Sequence, residues 1–356
     1  MSGAYKWKKL SDCDINDCFF DSLKEDYPGF ETWYNQKALE GKEAFTYYDE
    51  FGLGAFVMLK FDEEEEIQLC TGSLPIEKRL KISTLKLSER IQGNRLGEGA
   101  IGIALWKWLE CNCNEIYVTV FPKHKKLIEM LGKFGFIFAG NKPNGECVYL
   151  KSKKKIDFST PYTSFPFVNA GQDKCYLLPI EAEWHDKLFP YSELKNTIQQ
   201  TEEFAAANGV TKTYICFPCS NLSYSSNHTV LIYRKGINNK QYTSVITSYG
   251  TIVRCVKIKQ GGIAALSFEQ YKNIVGNKSV FTDEEIKDFY MNKSNLYVIE
   301  LVYNHAFGMG NNVNHLTLKN NSLWKDVHPF NAEYSMADFI NILHLAKQDT
   351  KKLILK

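Results

Sequence analysis

The sequence has no apolar run of the roughly 18 residues that a membrane-spanning helix requires, so no membrane partner is expected. Its first residues, MSGAYKWKKLSDCD, lack the apolar centre of a secretion signal, and a cytoplasmic location is the expectation. There is no second Cys-x-x-Cys pair. The ten cysteines are scattered, and only Cys216 and Cys219 in TYICFPCSNL have the two-residue gap. One such pair does not supply the ligands of a structural zinc site, so no metal is expected and most cysteines read as small core residues. No glycine-rich stretch ends in Gly-Lys-Ser/Thr, which excludes a P-loop. No internal repeat or long low-complexity tract is present. A strong charge excess is missing too: 43 Lys+Arg stand against 41 Asp+Glu.

What is present points to two folded domains. The length of 356 residues suffices for two cores, and 44% hydrophobic with 14% aromatic residues excludes disorder. Charge is unevenly divided. Residues 1–150 hold 19 Lys+Arg against 23 Asp+Glu, a net of −4, and the remainder holds 24 against 18, a net of +6. A mildly basic second half is compatible with a polyanionic partner, although solvated lysines alone would produce it. The composition turns basic and then Ser/Thr/Pro-rich after Ser152, and a linker is expected over 153–173. The acidic run FDEEEEIQ (Phe61–Gln68) reads as the solvated tip of a hairpin.

The first half reads as mixed α/β. Two early helices, INDCFFDSLKEDY and FETWYNQKALEGK, precede the strands EAFTYYD, GAFVMLKF and KISTLKLS. A glycine turn, RIQGNRLGEG, leads into the helix GAIGIALWKWLECN. EIYVTVF is a buried strand by its β-branched and aromatic content. The helix KHKKLIEMLGKFG and the strands FIFAG and ECVYLKS close the unit. The second half is richer in strands: KCYLLPI, TKTYICFP, HTVLIYRKG, QYTSVITSYGTIVRCVKIK, NLYVIELVY and VNHLTLK. Helices interrupt it at SFEQYKNIVG, TDEEIKDFYM and YSMADFINILHLA, and Thr282 followed by Glu285 marks an N-cap. Many non-local strands with few helices suggest a small barrel.

The glycine turn carries the first functional signal. A helix N-terminus offers unpaired backbone N–H groups and partial positive charge, and glycines let phosphate approach closely. Gly93, Gly97 and Gly99 supply that freedom, and Arg95 adds a cation. The plain alternative is a tight turn with close helix packing. A dinucleotide fingerprint would open its βαβ unit early, whereas this turn follows several antiparallel-looking strands.

Lys81–Gly140 resembles the central motif of the GNAT superfamily of N-acetyltransferases. The motif is a strand, then Gln/Arg-x-x-Gly-x-Gly/Ala, a helix, a second strand, another helix and a terminal Gly-Phe. NRLGEG (Asn94–Gly99) supplies Gly-x-Gly and KFGF (Lys133–Phe136) the Gly-Phe. The resemblance implies an α/β GNAT fold over residues 1–152, a mixed, mostly antiparallel sheet splayed between STLKLS and EIYVTVF. It implies acetyl-CoA as cofactor, with its pyrophosphate on Gln92, Gly93, Asn94, Arg95, Leu96, Gly97, Glu98 and Gly99 and its arm along Leu85, Lys86 and Leu87. Asn94 replaces the usual Gln/Arg, with Gln92 and Arg95 beside it. Leu131 stands where many members have the Tyr that protonates the leaving thiolate. His124 in FPKHKKL is the candidate catalytic group in its place; its plain reading is a surface histidine among lysines. Glu98, a carboxylate beside incoming phosphate, is expected to cap the helix or face away.

Residues 174–356 resemble the PUA-like superfamily, which includes ASCH and EVE domains. The carrying stretches are Tyr176–Pro190, His228–Gly236, Val245–Cys255 and Phe268–Ile286, and Ser226-Asn227-His228 replaces the usual Pro-Gly-Asp. The resemblance implies a PUA-like β-barrel with helical insertions whose pocket meets RNA or a modified base. Trp184, Tyr233, Arg234, Ser248 and Tyr249 are candidate contacts, although each also reads as barrel core or turn. The sequence thus leads to an acetyl-CoA-dependent N-acetyltransferase whose second domain recognises substrate, such as RNA or tRNA. Two alternatives stand beside it: a protein or small-amine acetyltransferase with a docking module, and a nucleic-acid-binding sensor with a degenerate transferase domain.

Overall fold

The structure, a computed structural model, describes residues 5–190 and 205–355. It divides into two compact units, Met1–Lys155 and Ile156–Lys356.

In the first unit the strands are β1 (Lys6–Lys9), β2 (Glu43–Asp49), β3 (Gly52–Gln68), β4 (Ser73–Leu87), β5 (Glu115–Val120), β6 (Ile137–Asn141) and β7 (Cys147–Ser152). The helices are α1 (Asp21–Asp26), α2 (Phe30–Leu39), α3 (Leu96–Glu110) and α4 (Lys125–Lys133). The strands form one sheet in the order β1-β2-β3-β4-β5-β7-β6. Every pair is antiparallel except β4 with β5. α3 is apolar nearly all round, which predicts a buried helix; 11 of its 15 residues are buried, and it touches β3, β4 and β5.

The acidic run is not a hairpin tip. β3 continues through it to Gln68, and the chain turns only at Gly72. The reason is cross-strand charge pairing. Glu64 lies opposite Lys78, and Glu65 takes the Lys81 ammonium at 3.5 Å and the Tyr117 hydroxyl.

The second unit contains β8 (Val168–Asn169), β9 (Lys174–Glu181), β10 (Thr211–Cys216), β11 (Thr229–Lys235), β12 (Val245–Gln260), β13 (Ile263–Ala264), β14 (Leu296–Ala306), β15 (Val313–Asn314), β16 (Glu333–Ser335) and β17 (Ile354–Leu355). Its helices are α5 (Pro161–Ser164), α6 (Ala182–Leu188), α7 (Ala205–Asn208), α8 (Lys240–Thr243), α9 (Phe268–Val275), α10 (Asp283–Asn292), α11 (His315–Asn320), α12 (Met336–Leu345) and α13 (Thr350–Leu353). The main sheet runs β10-β14-β12-β11-β9-β16, with β13 and β15 added to β12. Among the described residues this path stays open where the sequence suggested a closed barrel. Its end strand β16 has three residues and pairs with β9 alone.

Three local readings change. The segment 153–173 is packed rather than a free linker: Phe165, Phe167 and Val168 are buried, and β8 pairs with β17. Its Ser/Thr/Pro composition is that of a helix start, with Thr160 capping α5 and Pro161 in the first turn. The stretch VNHLTLK is a strand only over Val313–Asn314, because Asn314 then caps α11 by accepting the Thr317 N–H at 2.8 Å. The Thr282–Glu285 capping box forms as its residue types require, at 3.2 Å and 2.8 Å.

Candidate functional site

The parallel pair β4/β5 holds together for four residues only, from Arg79 opposite Glu115 to Ile82 opposite Val118. Beyond Ile82 the two strands part. Thr84–Leu87 pair with β3 alone, and Thr119 and Val120 pair with β7 alone. A bulge sits at the parting. Met58 faces Thr84 and Leu59 faces Ile82, so Ser83 is the extra residue, and its hydroxyl donates to the Met58 carbonyl at 3.1 Å. A bulge bends its strand, and here it turns β4 away from β5. Alternate backbone groups of Leu85, Lys86 and Leu87 therefore face a gap rather than a neighbouring strand.

β4 leads into the glycine turn and α3. Gln92, Gly93 and Asn94 are exposed, and Gly93 has a φ of 93°, the left-handed region that glycine enters freely. Arg95 caps α3 in the same region, with a φ of 58°. A side chain at Gly97 would begin 3.2 Å from the Met130 methyl, so Met130 would have to shift to admit one. The buried Tyr5 hydroxyl donates to the Leu96 carbonyl at 2.9 Å and fixes the first helical turn.

The cations are arranged differently from the sequence expectation. The Arg95 side chain is only 7% exposed and its Nη2 donates to Glu98 Oε2 at 2.6 Å. Its Nη1 is buried without a hydrogen-bond partner. Glu98 thus neither caps the helix alone nor faces away: it holds Arg95. Lys126, from the start of α4, reaches the turn instead and donates to Gln92 Oε1 at 3.2 Å. The basic run KHKK was the signal for it.

At the other end of the gap stands a group that sequence reasoning missed. Glu146, at the turn into β7, is 4% exposed. Its Oε1 accepts from the Tyr27 and Thr119 hydroxyls, each at 2.9 Å, and its Oε2 from Asn144 at 2.9 Å and Lys142 at 3.4 Å. Burial pushes its carboxyl up, but the Asn144, Tyr27 and Thr119 hydrogen bonds and Lys142 outweigh this and hold it below the usual range. Burial and Glu146 raise the Tyr27 hydroxyl above its ordinary value. Thr119 is the first β5 residue past the parting, so this cluster borders the gap. Nothing in a single sequence ties Tyr27, Thr119 and Glu146 together; only the strand order does.

His124 caps α4 with its side chain 47% exposed and its Nε2 3.8 Å from Asp26 Oδ2. Leu131 is fully buried and contributes to the core alone. Lys86 extends over the Phe19 ring and donates to the Ser22 hydroxyl at 2.6 Å. Burial lowers its ammonium, while Asp21 and Asp26 act in the opposite direction.

In the second unit the candidate contacts do not converge on an open face. Ser248 and Tyr249 are fully buried, a correction to their reading as ligand contacts. Their strand β12 is central, with β11 on one side and β14 on the other, and Tyr249 packs against Phe339 at 5.3 Å. Trp184 packs on Phe281 at 4.5 Å beside the core of Ile215, Tyr271 and Val275. Tyr233 is 5% exposed and its hydroxyl meets His315 Nδ1 at 3.1 Å. Arg234 is held by Asp186 through two bonds of 2.8 and 2.7 Å. The fully buried His185 lies between Asp186 and the Thr247 hydroxyl, 2.8 Å from each.

No protein-family model matches this sequence, and no curated protein matches it. Solved structures to which it is similar include a GNAT-family acetyltransferase from Listeria monocytogenes, at 18% identity over 42% of this chain and 94% of that one, with a TM-score of 0.30. They include the NatC complex bound to Gag peptide and CoA, at 17% identity over 41% of this chain and 95% of that one, TM-score 0.28. They also include the ASCH protein from Zymomonas mobilis, at 8% identity over 49% of this chain and 96% of that one, TM-score 0.31. The chain is therefore similar to both kinds of fold that its sequence resembles, a GNAT acetyltransferase and an ASCH domain. With each of these identities under 25% and each of these TM-scores under 0.5, the functional assignment is left to the chain's own geometry.

Proposed function

We propose that the first unit is an N-acetyltransferase that takes acetyl-CoA in the β4/β5 gap, and that the second unit recognises the acceptor, with RNA as the leading candidate. The parting of β4 from β5 directly ahead of a glycine turn and a buried helix start carries this reading. The residues fit the cofactor. Arg95 Nη1 is a buried donor without a partner, the turn Gln92–Asn94 is open, and Lys126 stands beside it. Gln92–Gly99 would hold the pyrophosphate, and Leu85–Leu87 would hold the arm as a strand neighbour. Acetyl-CoA, when bound, supplies an acetyl group activated for transfer to an amine. Backbone N–H groups near Leu85–Leu87 would stabilise charge developing on the carbonyl oxygen. His124 would accept the amine proton at Nε2. The Glu146–Tyr27–Thr119 cluster would fix the polar wall that the amine passes.

A second reading, a small or protein-borne amine as acceptor, is supported by the acidic residues Asp21, Glu25 and Asp26 around Lys86. They favour a cationic acceptor over a polyanion. The deciding experiment incubates the protein with acetyl-labelled acetyl-CoA and total RNA, a basic peptide or a polyamine. Label in RNA supports the leading reading, label in peptide or polyamine the second. If acetyl-CoA raises the melting temperature but no acceptor is labelled, the transferase domain is a sensor. If acetyl-CoA does not bind at all, the assignment of the gap is wrong.

A further inference from the structure

Three adjacent strands of the second unit carry one polar row. Thr213 on β10 lies opposite Glu300 on β14, and Glu300 lies opposite Arg254 on β12. Directly opposed residues share a face, so the three side chains line up across the sheet. Arg254 owes its place to a bulge. The β12/β14 register shifts between Ile252 and Arg254, making Val253 the extra residue. Without it, Val253 would face Glu300 and Arg254 would point to the opposite side. Lys278 joins from the 3₁₀ turn Gly276–Lys278 that follows α9.

Both cations converge on one oxygen. Arg254 Nη2 at 2.7 Å and Lys278 Nζ at 2.8 Å meet Glu300 Oε2. The Glu300 side chain is 6% exposed, while those of Arg254 and Lys278 are 43% and 21% exposed. Burial raises the Glu300 carboxyl, but Lys278 and Arg254 outweigh it and keep the group ionised. The row therefore holds two positive charges against one negative. One carboxylate balances one cation, so the row carries a surplus positive charge, which the 43% exposed Arg254 presents to solvent. Donors are in surplus as well, since a guanidinium has five N–H groups and an ammonium three. The Thr213 hydroxyl beside Glu300 is buried without a hydrogen-bond partner. Phe217, 38% exposed with Lys293 5.1 Å over its ring, lies four residues on, about 13 Å of extended chain.

We propose that Arg254 and Lys278, pre-positioned by Glu300, form a phosphate-binding site that takes a backbone phosphate of single-stranded RNA, with Phe217 placed for a base further along the strand. A cationic notch near an exposed ring is the pattern of strand binding without sequence readout. This rests on the reading of the second unit as the RNA-recognising part.

The test measures binding of the full chain to a labelled 12-nucleotide oligouridine by anisotropy across a salt series, with AMP and inorganic phosphate as competitors. Arg254→Gln and Lys278→Gln each leave Glu300 one cation, so the fold should survive; the melting transition checks this. Each should lower the slope of log affinity against log salt by about 0.7, the single-strand value per phosphate contact. Glu300→Gln keeps an acceptor oxygen that positions both cations but removes the negative charge beside the phosphate, so it should tighten RNA binding, a gain that a merely structural role would not produce. RNA bound with unchanged slopes by folded variants, or weakened by a folded Glu300→Gln, overturns the site while leaving RNA recognition intact. AMP or phosphate bound through Arg254 and Lys278, with RNA ignored, keeps the phosphate site, assigns it to a small ester and removes the RNA reading. If none of the three probes binds, both fall.

Discussion

Glu98→Gln should tighten acetyl-CoA binding. The Arg95 guanidinium is committed to Glu98 at 2.6 Å, with the two side chains 7% and 14% exposed. To meet a phosphate with both terminal nitrogens, Arg95 must release this partner. Replacing the carboxylate by an amide of the same shape keeps an acceptor for the charged guanidinium but removes the attraction between the two charges, which lowers the exchange cost by about 1 kcal/mol, roughly a fivefold gain in affinity. Removing a negative charge from the turn acts in the same direction. Titration calorimetry with acetyl-CoA on wild type and variant reads the change directly. The variant should melt slightly lower, because an acidic residue in the first turn of α3 is lost. If a folded Glu98→Gln binds acetyl-CoA no better than wild type, or more weakly, Arg95 is not a phosphate ligand and the ion pair is structural.

Gly97→Trp should weaken acetyl-CoA binding at least about tenfold and leave unchanged whatever RNA affinity the wild type has, since a side chain there meets Met130 and blocks backbone approach; calorimetry and anisotropy on one sample check both. His124→Ala should lower kcat by about 100-fold while the acetyl-CoA dissociation constant stays put, the signature of a group acting only in the transition state. Wild-type turnover from that variant would make His124 a surface residue. Glu146→Ala should cost about 2–4 kcal/mol at pH 7, because the Tyr27 and Thr119 hydroxyls lose their acceptor. The Glu146 carboxyl is lowered in the fold, so its contribution is present above the unfolded value near about 4.3 and is lost as pH falls through the folded value. Urea midpoints of wild type and Glu146→Gln should therefore converge as pH falls below the folded value, and a gap that persists through the whole acid range would refute this.

Local signals in the sequence were legible where one short window contains all the physics. The apolar content of Ile101–Leu109 specifies a buried helix, and Thr282 with Glu285 specifies a cap. Strand EIYVTV and helix KKLIEMLGK fall where composition and spacing place them. The acidic run deceived because its compensating charges lie on β4, 14 to 16 residues away in sequence and opposite in space. The inward turn of Arg95 was equally hidden: exposure is not a property of residue type, and its partner Glu98 reads as an ordinary cap. Ser248 and Tyr249 lie in a stretch that reads as a strand; that the strand is central, with a neighbour on each side, and so buries both is not a property of the stretch itself. The Glu146 cluster and the row of Thr213, Glu300 and Arg254 need strand order and register, which no single-sequence pattern contains.

The four-residue contact between β4 and β5 also divides the first sheet mechanically. β1–β4 form one ribbon and β5–β7 another, sewn along a single short seam. α3, which touches β3, β4 and β5, is the clasp across that seam. Opening there breaks few ladder bonds, so amide exchange with solvent should be fastest along Ser83–Leu87 and Thr119–Val120 and slow elsewhere in these strands. Any molecule lodged between the ribbons then does double duty: by lending its own amides it completes the weave, and the protection of those backbone protons becomes a direct reporter of occupancy.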